Sequence, residues 1–275
     1  MTALAALIAA EIDRPLAPPV AQDAAAMTAR LAARPGVAAV LFYGSRRRSG
    51  EQGAAQDAGR GAGPLDFYVL TDSDAAYHGA GLAACANRLL PPSVYAERLA
   101  RPGGGAIEAK VAVMTCAAFA ARMRPDAWDT TLWARFAQPC SLTHARDAAA
   151  RAAVVAALAQ AARTAAGWAR ALAPPRDGAP DWAALFARTY GAELRPERPG
   201  RAALLVAAAP EWFAALSLAV GAPAEAGAPA SAGLRWRARV AVGKALNLAR
   251  LLKAAFTYRG GVAYARAKLR RSRAG

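Results

Sequence analysis

Hydrophobic positions in the first half of the chain switch between helical spacing and short continuous runs, whereas the second half keeps helical spacing throughout. Residues 2–10 are apolar and run into Glu11, which predicts an opening helix. Residues 23–33 have helix-compatible spacing that Arg34-Pro35-Gly36 stops. The run 37–43, rich in branched and aromatic side chains, predicts a buried strand. Residues 44–64 are dense in Gly, Arg, Ser and Gln and predict a long loop. A second strand follows over 65–70, and Thr71-Asp72-Ser73-Asp74 caps a helix reaching Asn87, which Pro91-Pro92 breaks. Strands are predicted over 93–99 and 106–114, with a turn between them. Helices are predicted over 119–123, 128–136, 143–172, 181–192, 201–220 and 235–258. A linker is expected at 174–180 and an Ala/Pro/Gly/Ser loop at 221–233. The fold class is therefore α/β followed by all-α: a mixed sheet with flanking helices over 1–142, then a helical domain over 143–275.

Charge changes the picture more than hydropathy does. The 275 residues carry a net charge of +16, and the pI is near 10.9. Such a surplus attracts polyanions: nucleotides, nucleic acid or an anionic lipid surface. Most of it is Arg, which suits bidentate phosphate contacts and also follows GC-rich codon usage; both explanations stay open. The hydrophobic fraction of 56% is carried largely by Ala. Three widely spaced cysteines, with no Cys-x-x-Cys pair and two isolated histidines, argue against zinc and for a reducing compartment. The N-terminal apolar stretch lacks a basic leader and is not expected to be a signal peptide. Residues 202–220 are the best membrane-span candidate, but Pro210 and Glu211 interrupt them. The expectation is a cytoplasmic protein, peripheral on the inner face of the membrane.

The chemistry concentrates at two strand ends. Phe42-Tyr43-Gly44-Ser45 closes the first strand, where Gly44 lets backbone approach a phosphate and Ser45 donates to it. In the second strand Asp66 and Tyr68 share one face, with Phe67 and Val69 on the other. Asp66 is a candidate ligand for Mg²⁺. On the strand 106–114, Glu108 and Lys110 share a face. They complete a metal and phosphate site if this strand neighbours the second; otherwise they line a solvated edge. Arg46, Arg47 and Arg48 supply positive charge beside a bound phosphate or form a solvated loop. Lys244, Asn247, Arg250 and Lys253 recur every three residues on the last helix, facing either solvent or the cleft. The basic tail 266–273, preceded by Tyr258 and Tyr264, lies on an anionic membrane or frays.

A strand ending in Gly-Ser, then a loop, then a strand carrying Asp resembles the opening of polymerase-β-like nucleotidyltransferases. The fuller set resembles the mitochondrial-type phosphatidate cytidylyltransferases and their bacterial relatives. It comprises Phe42-Tyr43-Gly44-Ser45, Leu65-Asp66-Phe67-Tyr68-Val69-Leu70 with Asp72, Glu108-Ala109-Lys110-Val111-Ala112-Val113, Leu132 to Pro139, and Gly243-Lys244 through Asn247 to Gly261. The resemblance covers most of the chain. It implies a polymerase-β-like sheet, Mg²⁺ on Asp66, phosphate binding by Gly44 and Ser45, an active-site role for Lys110, and contributions from Lys244 and Asn247. The activity it implies is transfer of CMP from CTP to phosphatidic acid, giving CDP-diacylglycerol and pyrophosphate at a membrane surface. The family pattern is broken at the three arginines after Ser45. Tyr68 stands where polymerase-β-like enzymes place a second carboxylate, and Glu108 is the candidate replacement. Trp182, Trp212 and Trp236 are candidates for contact with the lipid interface. Two other readings stay open: a nucleotidyltransferase with a soluble or RNA acceptor, and a non-catalytic nucleotide- or membrane-binding module.

Overall fold

The structure is a computed structural model that describes residues 2–18, 20–52, 63–101, 104–173, 179–192, 200–221 and 232–257. Most of the expected linker at 174–180, the loop at 221–233, the distal part of the 44–64 loop and the basic tail with Tyr258 and Tyr264 lie outside the described residues.

Five strands form one mixed sheet: β1 (Val37–Tyr43), β2 (Leu65–Thr71), β3 (Ser93–Ala100), β4 (Ala106–Thr115) and β5 (Ser141–Ala145), in the order β3-β4-β2-β1-β5. β2 lies at its centre, antiparallel to β1 and parallel to β4. β1, β2 and β4 are buried along most of their length, as their near-continuous apolar runs demand. Two cores flank the sheet. Helix α2 (Val20–Ala32) packs Val20, Ala24, Met27 and Leu31 against Val40, Phe42, Phe67, Val69, Val111 and Val113. The opposite face, with Leu41, Tyr68, Leu70 and Met114, continues without a break into the helical half. The 142/143 boundary falls inside β5, which pairs with β1, and a single core runs through both halves.

Three local expectations are corrected. The 44–64 loop begins as a helix, α3 (Ser45–Gln52), entirely polar in sequence, so no apolar period announces it. The helix expected from 143 starts later, because Ser141–Ala145 adds to the edge of the sheet; Asp147 then caps α8 (Ala148–Leu172) by accepting from the Ala150 N–H at 2.7 Å. The helix expected after Ser73 is two short helices, α4 (Asp74–His78) and α5 (Leu82–Leu89), parted at Gly79 and Gly81.

The helical half gathers around α8, whose many alanines let neighbours approach closely. α6 (Cys116–Arg122) and α7 (Thr131–Phe136) connect the sheet to it. α9 (Trp182–Ala192) packs beside it, followed by α10 (Arg201–Ala207) and α11 (Pro210–Ala219). α10 and α11 are bent by 82° at Pro210, and no single helix among the described residues is long and apolar enough to cross a membrane. With α1 (Ala3–Ile12) they complete the larger core. The tryptophans proposed for a lipid interface are buried instead. Trp182 donates to Ser217 and Trp212 to the Ala137 carbonyl, and Trp236 packs at a tilt against Trp168.

The last helix, α12 (Ala232–Thr257), docks through cations. Buried Arg239 donates to the carbonyls of Ala127 (3.0 Å) and Pro125 (2.7 Å), with its guanidinium 4.4 Å from the Trp168 ring centre. Gly243 brings α12 so near α9 that a Cβ there would lie 3.0 Å from the Ala192 carbonyl oxygen. Arg239→Met leaves two carbonyls without their charged donor. It is expected to cost about 2–3 kcal/mol, read as a lower midpoint in urea denaturation with unchanged slope.

Candidate active site

Asp66 sits second in the central strand, and register determines its neighbours. Across the antiparallel pair it faces Tyr43, the last residue of β1; across the parallel pair it faces Lys110 of β4. The chain leaves β1 at Gly44 and turns directly into α3, so the N-terminal N–H groups of an eight-residue helix open beside a carboxylate and an ammonium. Gly44 has φ +93°, and a Cβ on it would lie 2.7 Å from an Asp66 carboxylate oxygen. Glycine is required there twice over, by backbone conformation and by close approach.

These residues form one wall of a cavity of about 170 Å³. The opposite wall comes from the helical half: Thr131, Arg135 and Gln138 from and just after α7, Tyr190 from α9, and Arg201 from α10. The volume is below the roughly 300–1,000 Å³ of pockets that enclose whole drug-sized ligands. It is sized for a small polar or anionic group. Four cations line it, Arg48, Lys110, Arg135 and Arg201, with Asp66 the one carboxylate among the described lining residues. Burial pushes the Arg48 guanidinium below its ordinary range, and the nearby Arg201 adds to this, while Tyr190 and Asp66 oppose it.

Of the residues singled out from sequence, Gly44, Ser45, Asp66 and Lys110 meet at this cavity. Glu108, Lys244 and Asn247 do not line it. Of the three arginines after Ser45, Arg48 lines the cavity and Arg46 does not. Arg47 is fully buried, donating to Glu11 of α1 at 2.5 Å and to Ser141 of β5 at 2.9 Å. β4 does lie beside β2, but Glu108 precedes the paired stretch that begins at Leu65↔Ala109. It is exposed and faces Arg98 of β3. Lys244 is exposed on α12, and the Asn247 amide donates to the Gly243 carbonyl. Arg250 and Lys253, on the same stripe, serve the fold. Arg250 pairs with buried Asp129 at 2.5 Å, and Lys253 donates to the Leu90 and Pro92 carbonyls. Burial and the Arg250 charge pull the Lys253 ammonium down to about 8. Asp129 also accepts from the Thr131 N–H, so this pair anchors the start of α7, which carries Arg135 into the cavity.

Tyr68, at the place of a second carboxylate, is core. It packs against Tyr43, Phe119 and Phe136 and accepts a hydrogen bond from Arg135 at 3.3 Å. Among the described residues no three His, Cys, Asp or Glu side chains cluster as a metal site. A Mg²⁺ ion keeps several waters and takes one or two carboxylates plus substrate phosphates. Asp66 beside a phosphate-sized, cationic cavity fits that minimal donor set, and Glu108 adds nothing to it. Sequence reasoning missed Arg135, Tyr190 and Arg201, since only tertiary packing carries them to the sheet.

Two substitutions test the construction of this wall. Gly44→Ala is expected to lower the melting temperature by several degrees, because the left-handed conformation costs about 1–3 kcal/mol and the methyl displaces the Asp66 carboxylate. Glu11→Gln strands a buried guanidinium and is expected to cost about 3 kcal/mol in urea denaturation. The double change Glu11→Leu with Arg47→Met should recover most of that stability, since the charge is removed and not orphaned. No protein-family model and no curated protein matches the chain, so the geometry of this cavity carries the functional argument.

Proposed function

We propose that this chain is a Mg²⁺-dependent nucleotidyltransferase of polymerase-β-like fold that transfers CMP from CTP to phosphatidic acid at an anionic membrane surface. The observation that carries the reading is the convergence of Gly44-Ser45, Asp66 and Lys110 on one cationic, phosphate-sized cavity. The resemblance to phosphatidate cytidylyltransferases rests in part on these same residues.

The backbone N–H groups at the start of α3 and the Ser45 hydroxyl receive the α-phosphate region of the donor. Lys110 and the arginines hold the remaining charge. An oxygen of the acceptor phosphate attacks the α-phosphorus in line. A new P–O bond forms there, the bond to the bridging oxygen breaks, and pyrophosphate leaves with the electron pair. The attacking oxygen is already anionic, so no general base is needed, and catalysis is positioning with charge neutralisation. Mg²⁺, when bound by Asp66 and the triphosphate, neutralises charge developing on the leaving group.

A lipid-borne acceptor is supported by the exposed Leu234, Leu248 and Leu252 of α12 beside Arg237 and Lys244, a mixture of apolar and basic side chains suited to an anionic interface. A second reading, a binding module without turnover, is favoured by one observation: the aromatic Tyr68 buried where a second carboxylate would stand.

Pyrophosphate release from CTP, measured with Mg²⁺ and with or without phosphatidic acid in vesicles, separates the readings. Release is expected only with lipid and metal. Asp66→Asn should reduce it at least about 100-fold without altering the melting temperature, and Lys110→Ala should raise KM. Binding of CTP without release from any nucleotide would establish the binding module. Release that ignores lipid would point to a soluble or RNA acceptor.

A further inference from the structure

Two guanidinium groups enter the cavity from opposite halves of the molecule. Arg48 lies one turn along α3 from Ser45, and Arg201 opens α10. Confining like charges together is costly unless an anion shares the space. The cavity holds four cationic side chains against Asp66 among its described lining residues, and burial, followed by the Arg201 charge, pushes the Arg48 guanidinium below its ordinary range. Guanidinium is the side chain best matched to phosphate, through paired N–H donors in one plane. Three residues of helix separate Ser45 from Arg48 by about 4.5 Å along the axis. The group that Arg48 holds is therefore a neighbour of the phosphate resting at the start of α3.

We propose that Arg48 and Arg201 form a second phosphate subsite, separate from the Gly44-Ser45 cradle, that holds a phosphate dianion between the sheet and the helical half. Its existence follows from the charge and geometry of the cavity; the number of phosphates to be held rests on the nucleotidyl-transfer reading of the same site. Two sources supply such a group: the terminal phosphates of the donor, or the phosphomonoester of the acceptor. Tyr190 lines the same cavity close to Arg48 and is a further candidate donor to that group.

The test is calorimetric titration of the full chain, at constant ionic strength, with inorganic pyrophosphate and separately with glycerol 3-phosphate. Wild type is compared with Arg48→Ala, Arg201→Ala and a control, Arg163→Ala, on the exposed face of α8. At least one ligand is expected to bind about tenfold or more weakly to each cavity variant and unchanged to the control. Loss for pyrophosphate assigns the subsite to the donor; loss confined to glycerol 3-phosphate assigns it to the acceptor. Affinities unchanged by either substitution, or weakened equally by Arg163→Ala, overturn the proposal. Arg201 is exposed at the first turn of α10, so its variant remains informative even if Arg48→Ala fails to fold. Arginine-dependent binding without nucleotide turnover would leave the subsite standing and remove only the transferase reading. Turnover with arginine-independent binding would do the reverse.

Discussion

The position of β2 between β1 and β4 is the constraint on which the cavity depends. Antiparallel pairing places Tyr43, and so the turn at Gly44, against Asp66; parallel pairing places Lys110 on its other side. A slip of one residue in either ladder would turn Asp66, Tyr68 and Leu70 out of their core and bury Phe67 and Val69 on the wrong face. Both cores oppose such a slip, since each takes alternate residues of the same three strands. Precision at the carboxylate is thus a by-product of hydrophobic registration. The glycine follows from it, because only a residue without Cβ fits beneath the Asp66 carboxylate at that turn.

Cations divide into two populations with different physics. Arg47, Arg239, Arg250 and Lys253 have carboxylate or carbonyl acceptors within the fold and work as cross-links between elements distant in sequence. Arg47 is the clearest case. α3 has no apolar side chain with which to join the core, so a buried ion pair to α1 and a hydrogen bond to β5 supply its attachment. Breaking such a pair costs far more than the pair contributes, which makes the wall of the cavity sensitive to Glu11, a residue well outside it. Arg48, Lys110, Arg135 and Arg201, whatever their contacts within the fold, converge on one cavity. Composition could not separate these populations: the net charge of +16 counts a structural arginine and a ligand-binding one alike.

What was legible in the chain followed periodicity. β1, β2 and β4 announce themselves as apolar runs, and alternation along β2 correctly set Asp66 and Tyr68 on one face, opposite Phe67 and Val69. The convergence of Gly44-Ser45, Asp66 and Lys110 on one cavity was legible because the first three lie at the ends of β1 and β2, and Lys110 is one of two charges in an otherwise apolar run. The misreadings share a cause. β5, with Thr143 and His144 among its five residues, has too little apolar signal to be distinguished from the start of α8; only β1 as a partner makes it a strand. Glu108 was placed on the right strand and the right face, yet its position along the strand depends on where β2 begins, which no local pattern records. The arginine triplet reads as one charged run, whereas helical geometry sends consecutive residues in different directions.

Tyr68 determines how the site must reach charge balance. A second carboxylate beside Asp66 would offset part of the cationic wall and strengthen the hold on a metal before substrate arrives. An aromatic ring in that place does neither; it ties β2 to α6 and α7 through Phe119, Phe136 and Arg135. The cavity then carries four cationic side chains against one carboxylate among its described lining residues, an imbalance that an anionic ligand would offset. Arg135 and Arg201 enter it from the helical half, so sheet and helices both contribute to that charge. On the transferase reading proposed above, Asp66 and the substrate phosphates would hold Mg²⁺ together, because one carboxylate is a small share of the oxygen ligands the ion takes.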